Sequence, residues 1–131
     1  MGRTLLAVLG GWFLIQALVL ATDALLTRLF PGQYGNGLPS PAWLLGLRLA
    51  ASFLAAMAGG WLAARLAPER PWRHALYLIV LGETMGILMA GSSLGQLPFW
   101  YLGGMLLLYP VAVLGGAALW LMPARRGGRR A

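Results

Sequence analysis

Cysteine and lysine are both absent from this 131-residue chain, and Asp and Glu together number only three. Without cysteine there is no disulfide, no thiol redox chemistry and no Cys-based metal site. The only histidine, His74, has no neighbouring ligands in the sequence and is a poor metal or haem candidate. It reads as an interfacial residue beside Trp72 and Arg73. No HExxH, GxSxG, Walker A or CxxC motif occurs, and no nucleophile stands with a base beside it. The expectation is a protein that is not an enzyme and holds no cofactor. Charged residues make up 10 % of the chain, against about 25 % in soluble domains.

What replaces charge is apolar surface. Hydrophobic residues reach 60 %. A helix needs about 20 apolar residues to cross a hydrocarbon core roughly 30 Å thick. Four stretches meet that need: residues 4–22 (extending as far as Leu29), 42–66, 72–91 and 98–122. Between them lie a Gly/Pro loop from Phe30 to Pro41, a charged turn from Ala67 to Pro71, and an uncharged turn from Gly91 to Pro98. Residues 123–131 form a basic, Gly-rich tail expected to be disordered. The predicted fold is all-α: one four-helix transmembrane bundle over residues 1–122, followed by that tail.

All ten basic residues other than His74 are arginine, which suits a bacterial coding bias, and the net charge is +7. Arg3, Arg65, Arg70, Arg73, Arg125, Arg126, Arg129 and Arg130 fall on one side if the chain crosses four times. By the positive-inside rule both termini then lie in the cytoplasm of a bacterial inner membrane. The arginines fit anionic lipid headgroups on that side, and no basic folded surface is left for nucleic acid. Trp43, Phe99, Trp100 and Tyr101 are expected in an outer aromatic belt, and Trp72 and Trp120 in an inner one. The competing reading of the first stretch is a cleaved signal peptide ending near Val19-Leu20-Ala21. Its length and the polar Gln16 within it favour a retained helix.

Trp43, Gly46 and Gly59 recur 57 positions later as Trp100, Gly103 and Gly116, each set following a Leu-Pro pair. This pattern fits two similar helical hairpins related by an axis along the membrane normal, or a chance recurrence of common membrane residues. Ala51, Ala55, Gly59 and Ala63 on the second helix, and Gly82 and Gly86 on the third, let helix backbones approach closely in lipid. Such faces serve the bundle itself, a homo-oligomer, or contact with other membrane proteins.

Glu83 sits near mid-span of the third helix, and Arg48 lies inside the second. A charge at that depth must be paired, protonated or functional. Arg48 is the natural partner of Glu83 by depth, with Gln16, Asp23 and Ser52 completing an intramembrane polar network. The bland reading is an ion pair that sets helix register; the functional one is a proton, cation or ligand site. A third has Arg48 snorkelling to the interface.

The runs GGWLAARLAPERPWRHAL (Gly59–Leu76) and LPFWYLGGMLLLYPVAVLGGAAL (Leu97–Leu119) resemble small bacterial four-helix integral membrane proteins of unknown function. The resemblance implies fold and location and no activity. The chain does not look like the small multidrug exporters, whose essential Glu lies in the first helix, where this chain has none. The expected role is therefore structural or accessory. The alternative is a small oligomeric transporter or channel for a proton, cation or small solute, working through Glu83 and Arg48.

Overall fold

The computed structural model describes residues 2–34, 41–67, 69–92, 94–95 and 97–128, with side chains as far as Met122. Four helices follow one another: α1 (Gly2–Leu29), α2 (Ala42–Leu66), α3 (Pro71–Ser92) and α4 (Phe99–Gly128). All four contain stretches long and apolar enough to cross a membrane, that of α4 being Phe99–Met122. No strand occurs among the described residues, and the protein is a membrane-embedded four-helix bundle.

Prolines open three of the helices. Pro41 precedes α2 in an extended conformation, Pro71 begins α3, and the Pro98 carbonyl accepts from the Tyr101 and Leu102 amides at the start of α4. A fixed φ and a missing N–H suit a helix start, where the first amides lack intrahelical partners. Three of the four helix threonines are satisfied locally: Thr22, Thr27 and Thr84 donate to the carbonyls of Leu18, Asp23 and Val80. That device removes a polar group from lipid.

One boundary differs from the expectation. α1 takes the longer of its two expected bounds and runs to Leu29, with Asp23 inside it. α4 continues through Pro123 to Gly128, so most of the expected disordered tail is helical. Ala and Arg are strong helix formers, and α4 carries Pro123 within it as it carries Pro110, despite the cost of an internal proline. The last three tail residues and the Leu38-Pro39 marker of the repeat lie outside the described residues.

Large side chains face outward and small ones face inward. Leu20, Leu54, Val80, Leu88 and Leu107 are all exposed, while the core is built on Ala7, Ala55, Ala56, Ala63, Ala64, Ala75, Ala112 and Ala117. Such an arrangement suits lipid, where packing rather than water exclusion holds helices together. α2 packs most extensively on α4 and then on α1; α3 touches the other three helices, and α1 does not reach α4. The tightest crossing joins α2 to α4. A methyl on Gly60 would overlap the Val113 carbonyl, and one on Gly116 would overlap the Met57 carbonyl. On the other flank Gly59 faces Gly11 and Ile15 of α1.

The 57-residue spacing has a structural counterpart. Tyr101, Leu102, Ala112, Val113, Gly116 and Ala117 are the buried residues of α4 with described side chains. Each stands 57 positions after a buried residue of α2: Leu44, Leu45, Ala55, Ala56, Gly59 and Gly60. The two parallel helices thus present equivalent faces. The equivalence stops there, since α3 packs on α2 while α1 does not pack on α4.

Candidate functional site: an intramembrane pocket beside a neutralised charge cluster

α1 and α3 both start at the end of the bundle that carries Arg3, Glu69 and His74. There Arg3 and Glu69 stand 4.0 Å apart on the surface, and His74 is hydrogen-bonded to Thr4. α2 and α4 start at the opposite end, next to the 30–34 turn. Both charged positions of interest lie toward that second end or at mid-span.

Arg48 does not pair with Glu83, and the expected contact is corrected. Its guanidinium Nε donates to Asp23 Oδ1 at 2.6 Å and its Nη2 donates to Asp23 Oδ2 at 3.0 Å. Nη1 donates to the Tyr101 hydroxyl. The reason is depth. Arg48 lies six residues inside α2, about 9 Å from its start, and Asp23 lies six residues before the end of α1, at the same level. Glu83, nine residues before the end of α3, is deeper by about 4–5 Å. A bidentate Arg–carboxylate contact at matched depth is worth more than a stretched one.

Two tyrosines complete the cluster, and neither was assigned to it from sequence. Tyr101, expected in the outer aromatic belt, is fully buried and holds the third arm of Arg48. Trp43, Phe99, Trp100 and Trp72 are exposed, whereas Trp120, expected in the inner belt, is half-buried against the core. Tyr34 comes from the loop. Phe30-Pro31-Gly32-Gln33 forms a turn closed by the Gln33 amide on the Phe30 carbonyl, with Gly32 at φ 87°. Proline then glycine at the two central positions is the signature of a type II turn. It returns the chain so that the Tyr34 hydroxyl donates to Asp23 Oδ1. Burial, and then the bond to Asp23, push the Tyr34 phenol well above its usual range. α1, α2, α4 and the loop thus meet on one neutralised charge pair. The sequence signal for Tyr34 was the Pro-Gly dipeptide; for Tyr101 it was the position 57 residues after buried Leu44.

Glu83 is left unpaired. Among the described residues no cation and no hydrogen-bond donor reaches its carboxylate. It lines a cavity of about 260 Å³ together with Gln16, Arg48 and Ser52. Of the expected network, Gln16, Arg48, Ser52 and Glu83 are therefore gathered around one space, and Asp23 stands behind Arg48. The remaining walls are Trp12, Phe53 and Tyr109, three methionines (Met85, Met89, Met105), and aliphatic side chains.

The packing residues hold these walls. Ala55, Gly59 and Ala63 are buried and Ala51 is half-buried. Gly82 leaves room for the Tyr109 ring, whose hydroxyl donates to the Leu78 carbonyl at 3.0 Å. Gly86 lies against Leu106. Tyr109 is thereby fixed beside Glu83 as a wall of the pocket. No group of three or more His, Asp or Glu side chains suited to a metal occurs among the described residues.

The lining of the pocket is confined to one half of the bundle. Its walls come from residues 12–19, 48–56, 82–90, Leu97 and 102–109. These belong to the half of the bundle nearest the Tyr34 turn and stop at mid-span. The contacts between α1 and α3, Thr4 with His74 and Gly11 with Leu78, lie in the other half. Fold and site together define a class: a four-span membrane bundle with a half-depth internal pocket. Compared with known proteins, the chain matches no family model, no curated protein and no solved structure.

Proposed function

We propose that this protein is a small accessory protein of the membrane, one that binds or braces rather than catalyses or conducts. One observation carries the reading: the pocket around Glu83 ends at mid-span, and the helices beyond it close on glycine and alanine contacts. A channel needs a path through both halves. The Asp23–Arg48 pair is committed to joining helices, so it serves as a brace and leaves no mobile counter-charge for Glu83.

The remaining small-residue faces and the outward apolar surface suit contact with other membrane proteins or a second copy of the chain. The arginine distribution supports a bacterial inner membrane with both termini cytoplasmic, and anionic headgroups as partners there. The transporter reading keeps one supporting observation, the unpaired mid-span carboxylate.

Reconstitution separates the two. Proteoliposomes of the accessory protein should pass protons and monovalent cations no faster than empty vesicles. Flux well above that background, abolished in Glu83→Gln, would replace this reading with transport.

A further inference from the structure

The pocket has a definite chemistry beyond its shape. Arg48 projects to its edge, but Asp23 cancels that charge and Tyr101 occupies the remaining donor arm. Glu83 is then the only formal charge in the pocket without a partner among the described residues. An anion would meet Glu83 with no free cation to hold it. A bare metal ion would find one carboxylate with the Gln16 and Ser52 oxygens, fewer than the roughly six oxygen ligands a hard cation takes. Much of the remaining wall is aromatic rings and thioethers, Trp12, Phe53 and Tyr109 with Met85, Met89 and Met105, beside aliphatic side chains. Aromatic faces and polarizable sulfur attract a diffuse organic cation and its apolar substituents.

The mouth points to the same class. Met85 and Met89 line the pocket and are also exposed, Met89 by 69 %. They lie on α3 seven and eleven residues after Leu78, on the helix face that meets Gly11 of α1. The exposed rim of the pocket on α3 is therefore apolar, which suits a ligand with an apolar body. The volume, about 260 Å³, falls just below the usual range of roughly 300–1,000 Å³ for drug-sized ligands. That favours a compact molecule with one ring or a few short alkyl arms.

We propose that the pocket is a binding site for a small amphipathic organic monocation, a protonated amine or quaternary ammonium, with its charge on the Glu83 carboxylate and its apolar body against Trp12, Phe53 and the methionines. This rests on the accessory-binding reading and names its ligand class.

The test uses the full chain in lipid nanodiscs and three probes of similar size: benzyltrimethylammonium, its uncharged isostere neopentylbenzene, and the anion 3-phenylpropionate. Equilibrium binding of radiolabelled probe is measured for wild type, Glu83→Gln and Ser52→Leu, each first shown to keep its helical content and size-exclusion profile. Wild type should bind the cation saturably and prefer it to the other two. Glu83→Gln should weaken cation binding by about tenfold or more and leave neopentylbenzene unchanged. Ser52→Leu, which fills the pocket and keeps the carboxylate, should block both probes. Equal cation affinity in wild type and Glu83→Gln would overturn the ligand class while leaving a neutral-ligand pocket, and so the accessory reading, intact. Absence of saturable binding of every probe to the folded wild type at millimolar concentration would overturn the site itself. Neither result bears on flux, which alone decides against the accessory reading.

Discussion

The Arg48 guanidinium faces Asp23 across the α1–α2 interface through two hydrogen bonds, at 2.6 and 3.0 Å, while Glu83 stands across the pocket without a cation. The two carboxylates at depth therefore have different roles. Asp23 completes a brace, and Glu83 is a free charge at the wall of a cavity.

The first prediction separates these roles by double-mutant cycles. The Arg48 and Asp23 side chains are only 19 % and 30 % exposed, so removing either one strands the other in a poorly hydrated place. Arg48→Ala and Asp23→Ala should each cost about 1–3 kcal/mol, with the pair costing clearly less than the sum. Arg48→Ala combined with Glu83→Ala should depart from additivity clearly less than the Arg48–Asp23 cycle does, since these two share a cavity wall but no hydrogen bond. Denaturant unfolding in mixed micelles, followed by circular dichroism, measures both cycles. Strong coupling to Glu83 with none to Asp23 would reverse the assignment.

The Tyr34 hydroxyl gives a second, pH-dependent prediction. Its folded-state value is raised above the ordinary 10.0, first by burial and then by the bond to Asp23. For a raised group the stabilisation is complete below the unfolded value and disappears as the pH climbs through the folded one. Tyr34→Phe should cost about 0.5–1.5 kcal/mol at neutral pH. The gap between wild type and variant should stay constant from pH 6 to about 9 and begin to close only in strong alkali. A gap that closes between pH 6 and 8 would show that some other group titrates there.

Much of the fold was legible in the sequence, and the error about Arg48 shows where such reading stops. Apolar runs cut by Pro41, the Ala67–Pro71 turn and Pro98 gave four spans, because lipid forbids unpaired backbone and so ties helix length to hydropathy. The small-residue ladder runs through Ala55, Gly59 and Ala63, which are buried in the bundle. Sequence spacing fixes a residue's depth, though, and not its direction around a bundle. With α1 ended near Thr22, Asp23 joins the network only from its outer side and Glu83 is the apparent partner of Arg48. Carrying α1 to Leu29 sets Asp23 and Arg48 at one level, and depth alone would then have chosen correctly. Tyr34 was hidden for another reason. Pro31-Gly32 signals the turn, but not which side chain the turn carries back to Asp23.

Orientation yields a third prediction, and the absence of native cysteine makes it simple to test. Gln33 lies in the turn at the Tyr34 end and Glu69 in the turn at the Arg3 end, both exposed. In intact bacterial cells, Gln33→Cys should react with a membrane-impermeant maleimide, and Glu69→Cys should react only after the cells are opened. The reverse pattern would place the arginine-rich end outside.

The fourth prediction concerns the α2–α4 crossing. Gly60 and Gly116 lie where each helix meets the other's backbone: the Val113 carbonyl opposite Gly60, and the Met57 carbonyl with the Trp61 amide opposite Gly116. Backbone cannot swing aside as a side chain can, so even one methyl must push the helices apart. Separation would loosen the contacts around Ala56, Ala112, Val113 and Ala117, which share one buried cluster. Gly60→Ala and Gly116→Ala should each cost about 2 kcal/mol or more, and Gly116→Leu should prevent recovery of a monodisperse protein. Gly46 and Gly103 occupy equivalent positions nearer the start of the same helices, with open space where a methyl would go. Gly46→Ala and Gly103→Ala should therefore be neutral or slightly stabilising, since alanine is the better helix former by up to about 1 kcal/mol. Thermal unfolding of the four variants in one detergent gives the comparison. If the Gly46 and Gly103 variants fell as far as the Gly60 and Gly116 variants, glycine would be needed along the whole length of these helices, for contact with something other than each other.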